Sequence, residues 1–149
     1  MVLEKLGIQG GTVENYYRPW VAEFNGKKIY LFPRDHALSD RVGFNYGGMN
    51  QYQAVEDFTN ELLKLQKQNY DGSLVYVVTL DGENPWEHYP YDGKLFLTEL
   101  YKKLTELQKQ GGLIRTVTPE RVHQALRRQG QQAHPPQDHE APRPHRRQG

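Results

Sequence analysis

The stretch SLVYVVTL, Ser73 to Leu80, runs directly into DGENPWEHYPYDG, Asp81 to Gly93, and the reading of the whole chain turns on that junction. The first segment is a short β-branched run without polar alternation, bounded by Asp71-Gly72 and Asp81-Gly82. Such a run fits a strand covered on both faces, as in a parallel sheet. The second places three carboxylates, a tryptophan, a tyrosine and a histidine within the nine residues Asp81 to Tyr89. In parallel α/β folds the loops at the carboxyl ends of strands converge on one side of the sheet, so reactive groups gather there.

Upstream, Tyr52, Val55, Phe58, Leu62 and Leu65 form one apolar stripe at helical spacing, and Asn50 with Gln53 make a capping box for a helix to about Gln68. Further back, Asn25-Gly26 is a dipeptide suited to the positive φ angles of a tight turn, which predicts a hairpin of Trp20 to Phe24 and Lys28 to Phe32. Downstream, Leu97, Leu100, Tyr101, Leu104 and Leu107 share a helical face that Gly111-Gly112 ends. Leu113 to Val117 reads as a short strand, and Thr118-Pro119 as the N-cap and first-turn proline of a helix through about Leu126. Strands alternating with helices imply right-handed crossovers and a parallel sheet, open or closed into a barrel.

The chain has 149 residues, 19 basic and 18 acidic side chains and no cysteine. One domain with a modest core fits that length. A formal charge of +1 offers no field to steer nucleic acid or an anionic membrane. Without cysteine there is no disulfide, thiolate nucleophile or cysteine-ligated zinc, and without a long apolar run there is no membrane span. The beginning, MVLEKLGIQGG, lacks a secretory signal's apolar stretch, so the expectation is a soluble, cytoplasmic chain. Residues 1–126 carry −2 and residues 127–149 carry +3. Apart from prolines, that last segment has only Ala133 and Ala141 as apolar side chains and reads as a disordered tail rich in Gln, Arg, His and Pro. Its His134, His139 and His145 follow no metal-ligand spacing.

Two clusters fall at strand ends: Arg34-Asp35-His36 with Ser39-Asp40, and Asp81 to Tyr89. The second suits a sugar. Glycoside hydrolysis needs one carboxyl group to protonate the leaving oxygen and another to attack carbon or activate water, and flat aromatic rings stack on pyranose faces. Asp81 and Glu83, two apart, point to the same side if the strand continues through them, and their repulsion would raise one pKa. The plain alternative is an acidic loop with capping and turn roles. Arg34 and Asp35 read as an ion pair and helix cap, Asp40 as structural, and His36 as either a hydroxyl ligand or a bystander. The many tyrosines are explained by packing.

The segment VYVVTLDGENPWEHYPYDGKLFLTELYKKL, Val75 to Leu104, resembles the acid/base region of glycoside hydrolase family 57 in its amylopullulanase-like form. GKKIYLFPRDHALSDRVGFNYGG, residues 26–48, is similar to the family's stretch of a strand followed by Arg-Asp-His, Leu-Ser-Asp and Gly-Phe, and with GGLIRTVTPERV the resemblance covers roughly residues 14–123. It implies a retaining enzyme acting on α-glucans such as starch, glycogen, pullulan or maltooligosaccharides, built on an incomplete (β/α)7 barrel, with no required metal and no cofactor. Asp81 takes the acid/base position. Glu83 and Asn84 follow it in the motif as hydrogen-bonding partners of substrate or of Asp81. Trp86 is a stacking platform or a core anchor, and His88 and Tyr89 line the subsites or pack the loop.

A retaining mechanism needs a second carboxylate about 5 Å across the scissile bond, and in this family the resemblance puts that glutamate on an earlier strand. Neither Glu4 nor Glu14 stands in such a context, and side chains two apart on a strand lie parallel, so Glu83 cannot face Asp81 across a sugar. The expectation is the later part of a barrel, residues 1–126, whose partners are an α-glucan and the missing upstream barrel half, and whose tail comes from a reading-frame change. Two other readings stay open. One is a stand-alone, non-catalytic glucan-binding or interaction module. The other is a polysaccharide deacetylase, although the paired metal-ligand histidines that it needs are not evident.

Overall fold

Asn25 and Gly26 both take positive φ, 49° and 71°, the geometry whose twist matches two flanking antiparallel strands. They join β1, Trp20–Phe24, to β2, Lys27–Leu31. The two-residue loop sets the register, pairing Phe24 with Lys27 and Trp20 with Leu31. It therefore starts the second strand one residue earlier than the polar alternation predicts. In the computed structural model, the described residues are 16–69, 72, 74–82, 85–111 and 114–128.

After β2 the chain turns through a short helix α1, His36–Asp40, a π-helical turn, Arg41–Asn45, and a 3-10 turn, Tyr46–Gly48. Helix α2, Gln51–Gln66, follows. The Asn50 side chain caps it, accepting from the Tyr52 and Gln53 amides at 3.1 and 3.3 Å. Helix α3, Lys94–Lys109, packs against α2, and α4 spans Pro119–Arg128. The core lies between α2 and α3: Ala54, Val55, Phe58 and Leu62 meet Phe96 and Leu100, closed from below by Leu38, Val42, Tyr46 and Tyr89. The stripes read from the sequence are buried in part: Val55, Phe58, Leu62, Leu100 and Leu107 are buried, Leu65, Leu97 and Leu104 are half-buried, and Tyr52 and Tyr101 are exposed, while Phe96, outside the predicted stripe, is fully buried. A stripe of apolar side chains on each of two helices is removed from water only where it faces the other.

The sheet departs from expectation. Among the described residues it has two antiparallel strands, and no barrel closes. Residues 74–80 form no ladder. They make one parallel bridge, Val77 with Arg34, in which the Asp35 N–H donates to the Val77 carbonyl at 2.8 Å; the Val75 N–H donates to the Tyr17 carbonyl at 2.8 Å. Leu74 is buried, whereas Val75 to Val78 and Leu80 are only half-buried. A strand becomes covered on both faces when neighbours flank it on both sides and helices lie over both faces; here the described partners are scattered, the Tyr17 carbonyl, the Asp35 amide, the Ser39 hydroxyl and the Asn69 side chain. The expected strand Leu113 to Val117 is likewise absent: Leu113 lies outside the described residues, and Arg115, Thr116 and Val117 are exposed and irregular. The final helix runs to Arg128, two residues into the stretch read as tail, and residues 129–149 lie outside the described residues. Among the described residues no helix is long and apolar enough to cross a membrane.

Candidate active site

The segment after β2 is locked before it reaches the site. Asp35, buried, caps α1 by accepting from the Leu38 amide at 2.8 Å and also accepts from the Tyr17 hydroxyl at 2.5 Å. Burial first, and then this bond to a carboxylate, push the Tyr17 phenol well above its ordinary range. The turn Arg41–Asn45 is tied to α2 by Asp57, which accepts from Arg41 at 2.8 Å and from the Tyr46 hydroxyl at 2.7 Å. The Tyr46 bond is the main reason that the Asp57 carboxyl lies below its ordinary value; burial opposes it and Arg41 reinforces it.

The aromatic loop after Asp81 docks on the same turn. Tyr89 is buried and donates its hydroxyl to the Val42 carbonyl at 2.5 Å. The approach is close enough that a Cβ on Gly47 would lie 2.8 Å from the His88 carbonyl oxygen. Trp86 packs partly buried against the core, its ring 5.4 Å from that of Tyr89 and its face over Gly93.

These anchors bring the two sequence clusters to one depression of about 140 Å³. Arg34, Ser39, Asp40, Gly43 and Phe44 line it from one side, and Thr79, Leu80, Asp81, Pro85 and His88 from the other. Asp81 is exposed to solvent at this wall. Arg34 is held by Asp40 through an Nη2 to Oδ1 contact of 3.1 Å. The ring of Phe44, carried by the π-helical turn, is 85% exposed beside them. Short π-helical segments often mark functional positions.

The structure places the nominated residues differently. Asp81 lines the depression. His36 does not: its side chain is 79% exposed and pairs with Asp40 at 2.9 Å. Trp86 also stands outside the lining and anchors the loop instead. Glu83 and Asn84 lie outside the described residues, as do Glu4 and Glu14. Arg34, read with Asp35 as an ion pair and helix cap, pairs with Asp40 instead, while Asp35 caps α1 and accepts from Tyr17; Arg34 and Asp40 also line the site. Phe44, Ser39 and Thr79 carried no role in the sequence reading. The Gly43-Phe44 pair was visible within a motif, but only the π-helical turn reveals that the ring faces solvent. Among the described residues no group of three or more His, Asp or Glu side chains is gathered as a metal ion would require.

A depression lined by a carboxylate, a paired arginine, a histidine and an open aromatic face fits a polyhydroxylated ligand better than an apolar one. The sequence model of glycosyl hydrolase family 57 matches residues 2–136. The chain therefore belongs to glycosyl hydrolase family 57 and so to the glycoside hydrolases. The matched span is wider at both ends than the resemblance read from the motifs. No curated protein matches the chain.

Proposed function

We propose that this chain contributes the general acid/base carboxylate, Asp81, to a retaining glycoside hydrolase acting on α-glucans such as starch, pullulan or maltooligosaccharides. The observation that carries the reading is the shared depression, in which Asp81 meets the exposed Phe44 ring and the Arg34–Asp40 pair. A pyranose stacks its C–H face on a flat ring while its hydroxyls reach charged groups at the rim. Asp81 protonates the departing glycosidic oxygen in the first step and accepts a proton from water or an acceptor sugar in the second. Arg34 and His88 donate to ring hydroxyls. Glu83 and Asn84, next in the motif, hydrogen-bond the substrate or Asp81; Trp86 supports the loop that carries His88.

The nucleophile in this reading is a glutamate outside the described residues, on an upstream part of a (β/α)7 barrel. The parallel bridge of Val77 with Arg34 supports that architecture, since it runs two segments side by side with their site residues at the same end. A retaining site holds its two carboxyl groups about 5 Å apart, and an upstream strand would have to bring the second one to face Asp81 across the depression.

The test is titration of the full chain with maltoheptaose, followed by NMR, together with a reducing-sugar assay on pullulan and amylose. Binding that perturbs the residues around Asp81 and Phe44, without turnover, is the expected result. Turnover by the chain alone that disappears in Asp81→Asn would remove the need for a second chain. Binding that survives in full in both Asp81→Asn and Phe44→Ala would favour a glucan-binding module with its site elsewhere.

A further inference from the structure

Ser39 lies in α1, is 2% exposed, and its hydroxyl joins two segments forty residues apart. The Oγ–H donates to the Asp35 carbonyl at 2.5 Å, the bond to the preceding turn that a helical serine commonly makes. With the hydrogen committed there, the oxygen's lone pairs point outward, and Oγ accepts from the Thr79 amide at 3.1 Å. Thr79 stands two residues before Asp81. Of the tethers at Val75, Val77 and Thr79, the one to Ser39 is nearest to Asp81. The other two are backbone to backbone and indifferent to side-chain identity. The platform is itself stiff, because Asp35 caps α1 and is held by Tyr17.

We propose that Ser39 is a positioning residue for the acid/base carboxylate: its hydroxyl fixes the Thr79 backbone against α1 and so sets where Asp81 stands relative to Arg34, Asp40 and Phe44. This role rests on the assignment of Asp81 made above. A general acid works only within hydrogen-bond reach of the glycosidic oxygen, and a misplacement of about 1 Å can cost on the order of 100-fold in rate. Thr59 provides the comparison within the same molecule. It is as deeply buried, and its hydroxyl makes the same kind of bond, to the Val55 carbonyl at 2.8 Å, but both of its acceptors lie in α2.

The test uses the full chain as wild type, Ser39→Ala, Ser39→Thr and Thr59→Ala. The change that maltoheptaose induces in the side-chain carboxyl carbon resonance of Asp81 is followed by NMR, the resonance identified by its loss in Asp81→Asn, and thermal unfolding is recorded alongside. Ser39→Ala is expected to reduce that change by about half or more, since a carboxylate displaced by about 1 Å no longer stands where the ligand's glycosidic oxygen meets it. Ser39→Thr, which keeps the hydroxyl, restores the wild-type response. Thr59→Ala lowers the melting temperature and leaves Asp81 as it was. A Ser39→Ala chain whose Asp81 responds to maltoheptaose as wild type does, whatever its melting temperature, overturns the proposal. If Ser39→Ala does not fold, Ser39→Cys, of similar size and a poorer acceptor, is read by the same criterion. A wild-type Asp81 resonance unmoved by maltoheptaose overturns the glucan reading on which the role depends. A wild-type resonance moved by maltoheptaose, with the same response in Ser39→Ala, overturns the positioning role alone.

Discussion

Trp86 lies over Gly93 so closely that a Cβ on the glycine would stand 2.5 Å from the indole Cε3. Gly93 also has φ of 74° and follows two further left-handed residues, Tyr91 and Asp92. The indole thus closes the turn that opens α3. Gly93→Ala combines backbone strain with a clash against a ring that is itself packed on the core, and is expected to destabilise the chain by about 2–4 kcal/mol. Denaturant unfolding monitored by tryptophan fluorescence measures this. Gly26→Ala is the comparison: its φ is also positive, but open space surrounds the added methyl, so the loss there is limited to strain, about 1 kcal/mol.

Tyr89→Phe removes one oxygen and leaves the Val42 carbonyl without the hydroxyl that reaches it across 47 residues. The aromatic packing on Phe96, 5.2 Å away, stays. The expected cost is about 1–3 kcal/mol, the range for leaving a buried acceptor unpaired. Because this bond docks the loop that carries His88, weaker maltoheptaose binding should accompany the lower midpoint of chemical unfolding.

The Asp57 carboxyl is held below its ordinary value by Tyr46 and Arg41. Its folded pKa is depressed, so the stability it contributes is present above the unfolded value, about 3.9, and is lost as pH falls through the folded value. Asp57→Asn should therefore flatten the acid limb of the stability curve below about pH 4. The side chain is 43% exposed, so screening by solvent keeps the effect small and reduces it further in high salt. Unfolding midpoints measured across pH at two salt concentrations test the sign.

Phe44→Ala separates binding from folding. The ring is 85% exposed, so its removal should change stability by no more than about 0.5 kcal/mol. A lost stacking platform should weaken maltoheptaose binding by about tenfold, the scale of one aromatic contact. Phe44→Trp should restore it. Phe24→Ala, which removes a ring that is also largely exposed but lies at the hairpin end, should leave the affinity unchanged. Calorimetric titration of wild type and the three variants provides the affinities, and chemical unfolding the stability of Phe44→Ala.

The elements legible in the sequence are those governed by contacts close along the chain. Asn25-Gly26 dictated the hairpin because only its positive φ angles suit a two-residue turn. Asn50 started α2, the aliphatic members of the two helical stripes supplied much of the core while Tyr52 and Tyr101 stayed exposed, and the motif around Asp81 carried the family. Tertiary structure decided the rest. SLVYVVTL reads as a buried parallel strand from composition, yet strand pairing is a non-local bargain, and among the described residues its hydrogen bonds go to scattered partners instead of a neighbouring ladder. Trp86 offered no sign of its direction, since an indole in an acidic loop serves equally as platform or anchor; the close approach of Gly93 turned it toward the core. Phe44 and Ser39 gained their places only when Asp57 tied down the π-helical turn and Val77 met Arg34. Local propensity and periodicity are written residue by residue, whereas the meeting of Asp81 with Phe44 depends on closing a loop of nearly forty residues, which only the packed core makes favourable.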